Sequence, residues 1–308
     1  MQHFSDRLAV AIRARGSVVC VGLDPALEGM PEALIEKYRP MAAELGDDEA
    51  VAACFQEFCG GIIESVAGTA ACVKPQAAFF EQYGAAGWKA LRAVIRCARE
   101  HELPVILDVK RGDIATTGRA YANAAFGGAP GFTAPTAGLV ADAITASPYL
   151  GDDSLEPLVE HCAGGKGVFV LTRTSNPGAR LLQEREVDGR PLYLHVADLV
   201  ARLGAEHLGE FGYSDVGAVA GATAPASLRL VREALPQAFI LVPGYGAQGA
   251  GQEALRGVSA GAAAGFVVNA SRSIIYAWRQ GVVDYRIAAA EAARAMRDDL
   301  SFALHPTR

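Results

Sequence analysis

An aspartate and a lysine two residues apart, in Leu107-Asp108-Val109-Lys110-Arg111-Gly112-Asp113, are the residues of this chain best suited to chemistry. Side chains alternate across an extended strand, so Asp108 and Lys110 share one face while Val109 points away. A carboxylate beside Lys110 keeps it an ammonium, which makes it a charged proton donor and argues against a Schiff-base nucleophile. Gly112 permits a turn, so Asp113 leaves the strand and is free to face elsewhere, including a neighbouring subunit. Two further ionisable residues, Asp24 and Lys74, end other apolar runs. An isolated D-x-K is more often a structural ion-pair network. Four ionisable residues at neighbouring strand ends, however, are costly to desolvate, and function is the usual reason to tolerate that cost.

Positioning these groups requires strands that end on one rim. Short β-rich runs recur at 18–23, 71–73, 104–109, 139–146, 167–171, 216–220, 238–242 and 265–268, eight in all, the closing number of a (β/α)8 barrel. Between them, 50–67, 85–100, 192–208 and 226–234 have helical period and length enough to cross back over a parallel sheet. A Phe4, Leu8, Ile12 stripe predicts an extra N-terminal helix, and the last 25 or so residues read as one closing helix. The Gly/Ala/Pro-rich stretch 123–135 is short enough for an excursion between strands three and four. A doubly wound sheet shares this rhythm, but polar residues at several strand ends, with phosphate-binding sequences after strands seven and eight, favour the barrel. The expectation is α/β: a single (β/α)8 TIM barrel over 1–308, with an N-terminal helix and helical inserts.

Those phosphate-binding sequences are Pro243-Gly244-Tyr245-Gly246-Ala247-Gln248-Gly249 and Asn269-Ala270-Ser271-Arg272-Ser273. Glycines let backbone N–H groups approach an anion, a following helix N-terminus adds its positive end, and Arg272 supplies a bidentate fork. Gly244 to Gly249 also satisfies G-x-G-x-x-G. It follows the seventh strand, and Asn269 stands where a ribose-binding acid is needed, so a nicotinamide cofactor is not expected. Gly257 to Gly261 satisfies G-x-S-x-G but precedes a strand, the reverse of a nucleophile elbow, and reads as a helix-end turn.

The 308 residues are 51% hydrophobic and 20% charged, as a globular chain with a large core requires. Against 34 acidic residues stand 28 basic ones, a net charge of −6 with no long basic block, so nucleic acid is not an expected partner. No membrane-length apolar run and no signal-peptide core occur, which predicts a cytoplasmic protein. The six cysteines lack C-x-x-C spacing and read as small buried hydrophobes; the six histidines are equally dispersed, so no tightly held transition metal is expected.

The run Asp108-Val109-Lys110-Arg111-Gly112-Asp113-Ile114-Ala115-Thr116-Thr117 resembles the orotidine 5'-monophosphate decarboxylase signature, D-x-K-x-x-D-(I/V)-x-x-T. Val73-Lys74-Pro75-Gln76, Thr174-Ser175-Asn176-Pro177-Gly178, 243–249 and Arg272-Ser273-Ile274 resemble the same family in the right order, especially its longer bacterial branch. The likeness runs from about Val18 to Tyr276; Ala250 stands where a second glycine often follows, and inserts separate Asp24 from Lys74 and Ser175 from strand six. The resemblance implies a lyase that converts orotidine 5'-monophosphate to UMP and CO2 in pyrimidine nucleotide biosynthesis, with no metal or organic cofactor. It implies Lys110 as cation and proton donor to C6, Asp108 beside it, and a homodimer in which Asp113 and Thr117 reach the partner's site. It further implies that Asp24 and Lys74 bind ribose hydroxyls, Ser175 the pyrimidine, and Gln248 and Arg272 the phosphate.

Two alternatives remain. A related barrel such as 3-keto-L-gulonate 6-phosphate decarboxylase shares D-x-K-x-x-D but uses Mg²⁺; here Lys74 occupies the end of strand two, where no additional acid stands. A catalytically silent phosphate-ligand sensor is expected to have lost part of the Asp108, Lys110, Asp113 set, and all three are present.

Overall fold

The computed structural model describes residues 2–245, 251–256, 258–259, 261–281 and 284–304. Eight parallel strands form the sheet: β1 (Val19–Leu23), β2 (Cys72–Pro75), β3 (Ile106–Arg111), β4 (Ala143–Ala146), β5 (Gly167–Arg173), β6 (Ser214–Ala220), β7 (Ala238–Val242) and β8 (Phe266–Ala270). Their spatial order is β2-β1-β8-β7-β6-β5-β4-β3, and single bridges Val73↔Val105 and Gln76↔Asp108 bring the two ends together, so the sheet is a nearly closed barrel. Strands covered on both faces bury every residue of β1, β2, β4, β6 and β7, so these are mainly apolar instead of alternating, and their buried polar residues Lys74, Thr145, Ser214 and Asp215 are hydrogen-bonded.

The crossovers include α3 (Asp47–Val66), α4 (Gly84–Glu100), α5 (Ala115–Phe126), α6 (Leu192–Gly204) and α7 (Pro225–Ala234), with α1 (Phe4–Arg15) ahead of the barrel and α8 (Tyr285–Asp299) after it. An additional helix, α2 (Glu32–Leu45), packs with α3 between β1 and β2 and accounts for the long separation of Asp24 from Lys74. The insert after β5 is a helical turn, Pro177–Leu181, and a small hairpin pairing Glu186–Val187 with Arg190–Pro191. No helix among the described residues is long and apolar enough to cross a membrane.

The α1 stripe caps the N-terminal end of the barrel. Phe4, Leu8 and Ile12 are buried, and Phe4 meets Phe169 of β5 edge to face at 5.9 Å. Polar latches fix the cap: His3 bonds Asp215 at 2.7 Å, and Asp6 accepts the backbone N–H groups of Glu210 and Phe211. Elsewhere the buried Arg232 of α7 donates to the carbonyls of Leu235, Ala238, Val258 and Gly265. Burial pulls its pKa down to about 10. Four buried carbonyls depend on this one fork, so Arg232→Ala should cost about 3 kcal/mol or more in denaturant unfolding; a loss below about 1 kcal/mol would mean other donors replace it.

One expected strand is shorter than the sequence suggested. The apolar run 139–146 becomes extended only at Ala143, because Gly138 and Val140 take positive φ of 58° and 59° and turn the chain beforehand. Five of the six cysteines are buried as expected and Cys97 is half-buried; all six are free thiols. Of the G-x-S-x-G stretch, Gly257 and Ala260 lie outside the described residues.

Candidate active site

The C-terminal ends of β2, β3 and β4 meet over a single carboxylate. Asp108 Oδ2 accepts from Lys74 Nζ at 2.6 Å, and Asp108 Oδ1 accepts from Lys110 Nζ at 2.6 Å and from the Thr145 hydroxyl at 2.9 Å. The Asp108 and Lys74 side chains are 9% and 6% exposed, but that of Lys110 is 49% exposed, so only this ammonium reaches outward.

The geometry of β3 differs from the regular strand expected. Its pairing with β4 shifts between Leu107 and Arg111, and Lys110 itself takes the left-handed φ of 45°. For a non-glycine residue that conformation costs about 1 kcal/mol or more. Thr145 offsets it, because its hydroxyl oxygen accepts both the Val109 and the Lys110 N–H at 3.0 Å. Gly112 has no positive φ; its need is space, since a Cβ there would lie 2.7 Å from the Ser147 carbonyl.

Burial raises the Asp108 pKa, yet the charges of Lys74 and Lys110 outweigh that effect and hold it below the usual carboxylate range. Burial lowers Lys74, but Asp108 and Asp24 reverse that and carry it above a free lysine. The stabilisation carried by Asp108 is thus present above about pH 4 and lost as pH falls through its depressed pKa, while that of Lys74 is present below about pH 10 and lost as pH rises through its raised one. Asp108→Asn leaves Lys74 buried without its hydrogen-bonded counter-charge, so the cost of this substitution should be largest at low pH and shrink as pH rises toward about 10; a cost that grows with pH between about 5 and 9 would contradict this charge assignment.

Lys74, Asp108, Lys110, Thr145, Ser175 and Gln183 line one cavity of about 390 Å³ with apolar walls from β5, β6 and β7. A cleft of about 420 Å³ beneath α1, beside Arg15 and Glu102, lies at the opposite end of the barrel, away from these groups. Ser175 stands on the loop after β5, where Thr223 donates to its carbonyl at 2.9 Å. A Cβ on Gly221 would lie 2.7 Å from Ser175, so glycine is what lets the loops after β5 and β6 touch. Asp24 follows β1, and its Oδ1 is buried without a hydrogen-bond partner among the described residues.

The remaining expected residues are not all gathered here. Arg272 opens the helical turn Arg272–Ile275 after β8, exposed and without a side-chain partner among the described residues. Among the described residues the Asp113 side chain accepts only from the Ile114 N–H and joins neither ion pair, and Thr117 is exposed on α5. Gln248 lies outside the described residues. Two contributors had no sequence expectation: Thr145, a lone hydroxyl in an apolar strand, and Gln183, which reaches back from the insert so that its Oε1 accepts from the Thr174 N–H at 2.8 Å.

Residues 17–282 match a family described as Orotidine 5'-phosphate decarboxylase / HUMPS family. The orotidine 5'-phosphate decarboxylase of Rhodopirellula baltica is 47% identical over 293 residues, covering 95% of this chain and 94% of that one. That of Caldicellulosiruptor bescii is 37% identical over 306 residues, covering 99% and 100%. Among solved structures, Leishmania donovani OMP decarboxylase aligns with a TM-score of 0.73 at 36% identity, over 96% of this chain and 99% of that chain.

Proposed function

The chain belongs to the orotidine 5'-phosphate decarboxylase / HUMPS family, and from that premise we propose a mechanism in which Lys110 delivers the proton that replaces the lost carboxylate. The protein is a carboxy-lyase that converts orotidine 5'-monophosphate to UMP and CO2, a step of pyrimidine nucleotide biosynthesis. The single observation that carries the mechanism is the Asp108 carboxylate shared by two lysines that line the cavity, of which Lys74 is buried and Lys110 half-exposed.

Loss of CO2 from C6 leaves an electron pair in the plane of the ring with no adjacent carbonyl to receive it. A pre-positioned cation is the remedy, because charge fixed in place before reaction needs no reorganisation during it. Asp108 anchors Lys110, Thr145 fixes the backbone beneath it, and the ammonium first stabilises the developing carbanion and then protonates it. Asp24 and Lys74 take ribose hydroxyls, Ser175 the pyrimidine, and Arg272 with Gln248 the phosphate. The protein acts as a homodimer in which Asp113 and Thr117 complete the partner's site. The exposed Ile114, Tyr149 and Leu150 on the loops after β3 and β4 suit a covered face there.

In D2O the reaction should give one equivalent of CO2 per UMP and one deuterium at C6; failure to form UMP would overturn the assignment. Gly221→Ala, by displacing Ser175, should raise KM at least about tenfold; an unchanged KM would remove Ser175 from base recognition. Arg272→Ala should lower kcat/KM by about 100-fold or more, through loss of a charge-assisted phosphate contact. A wild-type value would place the phosphate elsewhere.

A further inference from the structure

Among the described residues the Asp24 Oδ1 is buried and has no hydrogen-bond partner. Its placement comes from the backbone, and one side chain grips that backbone. Tyr276 donates its phenol hydrogen to the Asp24 carbonyl at 3.0 Å and accepts the Ala26 N–H at 2.8 Å, so both capacities of the hydroxyl go to this loop. Burial raises the phenol to about 12, which keeps the donor in place at neutral pH. The ring stacks on the fully buried Phe58 with centroids 6.0 Å apart and planes at 20°. Gly29, later in the same loop, packs so closely that a Cβ would lie 2.6 Å from that ring. On its own chain, Tyr276 directly follows the helical turn opened by Arg272, and its N–H bonds the Arg272 carbonyl at 3.2 Å.

We propose that Tyr276 is a positioning residue for sugar recognition: it sets the Asp24 loop against the turn that carries Arg272, so that the ribose and phosphate contacts are placed as one unit. The proposal rests on the reading of Asp24 as a ribose ligand. Nothing in the reaction needs the phenol itself, so its loss acts on affinity for the ribose and leaves the chemical step nearly untouched.

The test compares binding of UMP, 2'-deoxy-UMP and 3'-deoxy-UMP to wild type, Tyr276→Phe and Asp24→Ala, together with steady-state kinetics on the substrate. In wild type, removing the hydroxyl that Asp24 holds should weaken binding about tenfold, and Asp24→Ala, which removes the acceptor, should abolish that penalty. Tyr276→Phe keeps the ring stack and should shrink the penalty below about threefold, raising KM about tenfold with kcat within about twofold of wild type. Gly29→Ala retains the phenol but displaces the ring, and should reproduce the lost discrimination. A Tyr276→Phe protein that discriminates like wild type, or that binds all three ligands equally more weakly, would overturn the proposal. Full discrimination in Asp24→Ala would instead overturn the ribose assignment itself, whatever the Tyr276 variant does.

Discussion

Lys110→Ala should lower kcat for decarboxylation by at least about 10⁴-fold, with little change in UMP affinity. The magnitude follows from two roles lost together: general-acid transfer contributes about 10²–10⁴-fold, and a fixed charge facing the developing carbanion a further 10²–10³-fold. The Lys110 side chain is 49% exposed, so its removal leaves no buried group stranded, and Asp108 keeps its 2.6 Å contact with Lys74. The fold should therefore survive, and the loss should appear in kcat. Lys110→Arg should fail nearly as badly despite its charge, because a guanidinium is a poor proton donor. Single-turnover kinetics on folded variants checks both; turnover within tenfold of wild type in either would remove Lys110 from proton transfer.

The second large effect is a gain. Lys110→Ala and Asp113→Asn homodimers should each be nearly inactive, yet mixing them should restore about a quarter of wild-type activity after subunit exchange. Half of the dimers are then mixed, and each has one site in which Lys110 of one protomer meets Asp113 of the other. The fold gives this its reason: Asp113 makes no ion pair with the described residues of its own chain, although it lies only three residues from Lys110. No recovery after exchange has been verified by mass would place Asp113 in its own protomer's site.

The centre of the site was legible because its geometry is local. Asp108 and Lys110 stand two residues apart, so the sequence alone brings them close and the two-residue period of a strand anticipates their pairing, although Lys110 reaches Asp108 from a left-handed backbone that Thr145 holds. The barrel was legible from the strand and helix rhythm, and the mainly apolar strands follow from burial on both faces. What escaped depends on neighbours distant in sequence. Thr145 carries no signal within Ala143-Ile144-Thr145-Ala146; its meaning arises only when β4 lies beside β3 and offers one hydroxyl to Asp108 and two amides. The same contact explains why the left-handed residue is Lys110, when the sequence pointed to Gly112 as the turning point. Gln183 was invisible for a similar reason, since the hairpin insert folds back onto Thr174. Tyr276 sits 252 residues from Asp24, whose loop it holds.

The most direct test of the central claim, that an Asp108-anchored Lys110 carries out decarboxylation using this chain's own residues, is turnover of orotidine 5'-monophosphate by purified protein in excess EDTA. UMP formation is followed alongside the pyrimidine absorbance change, with and without added Mg²⁺. The account predicts rapid turnover that Mg²⁺ does not increase. Activity that appears only with Mg²⁺, or UMP binding with no turnover under either condition, would contradict it.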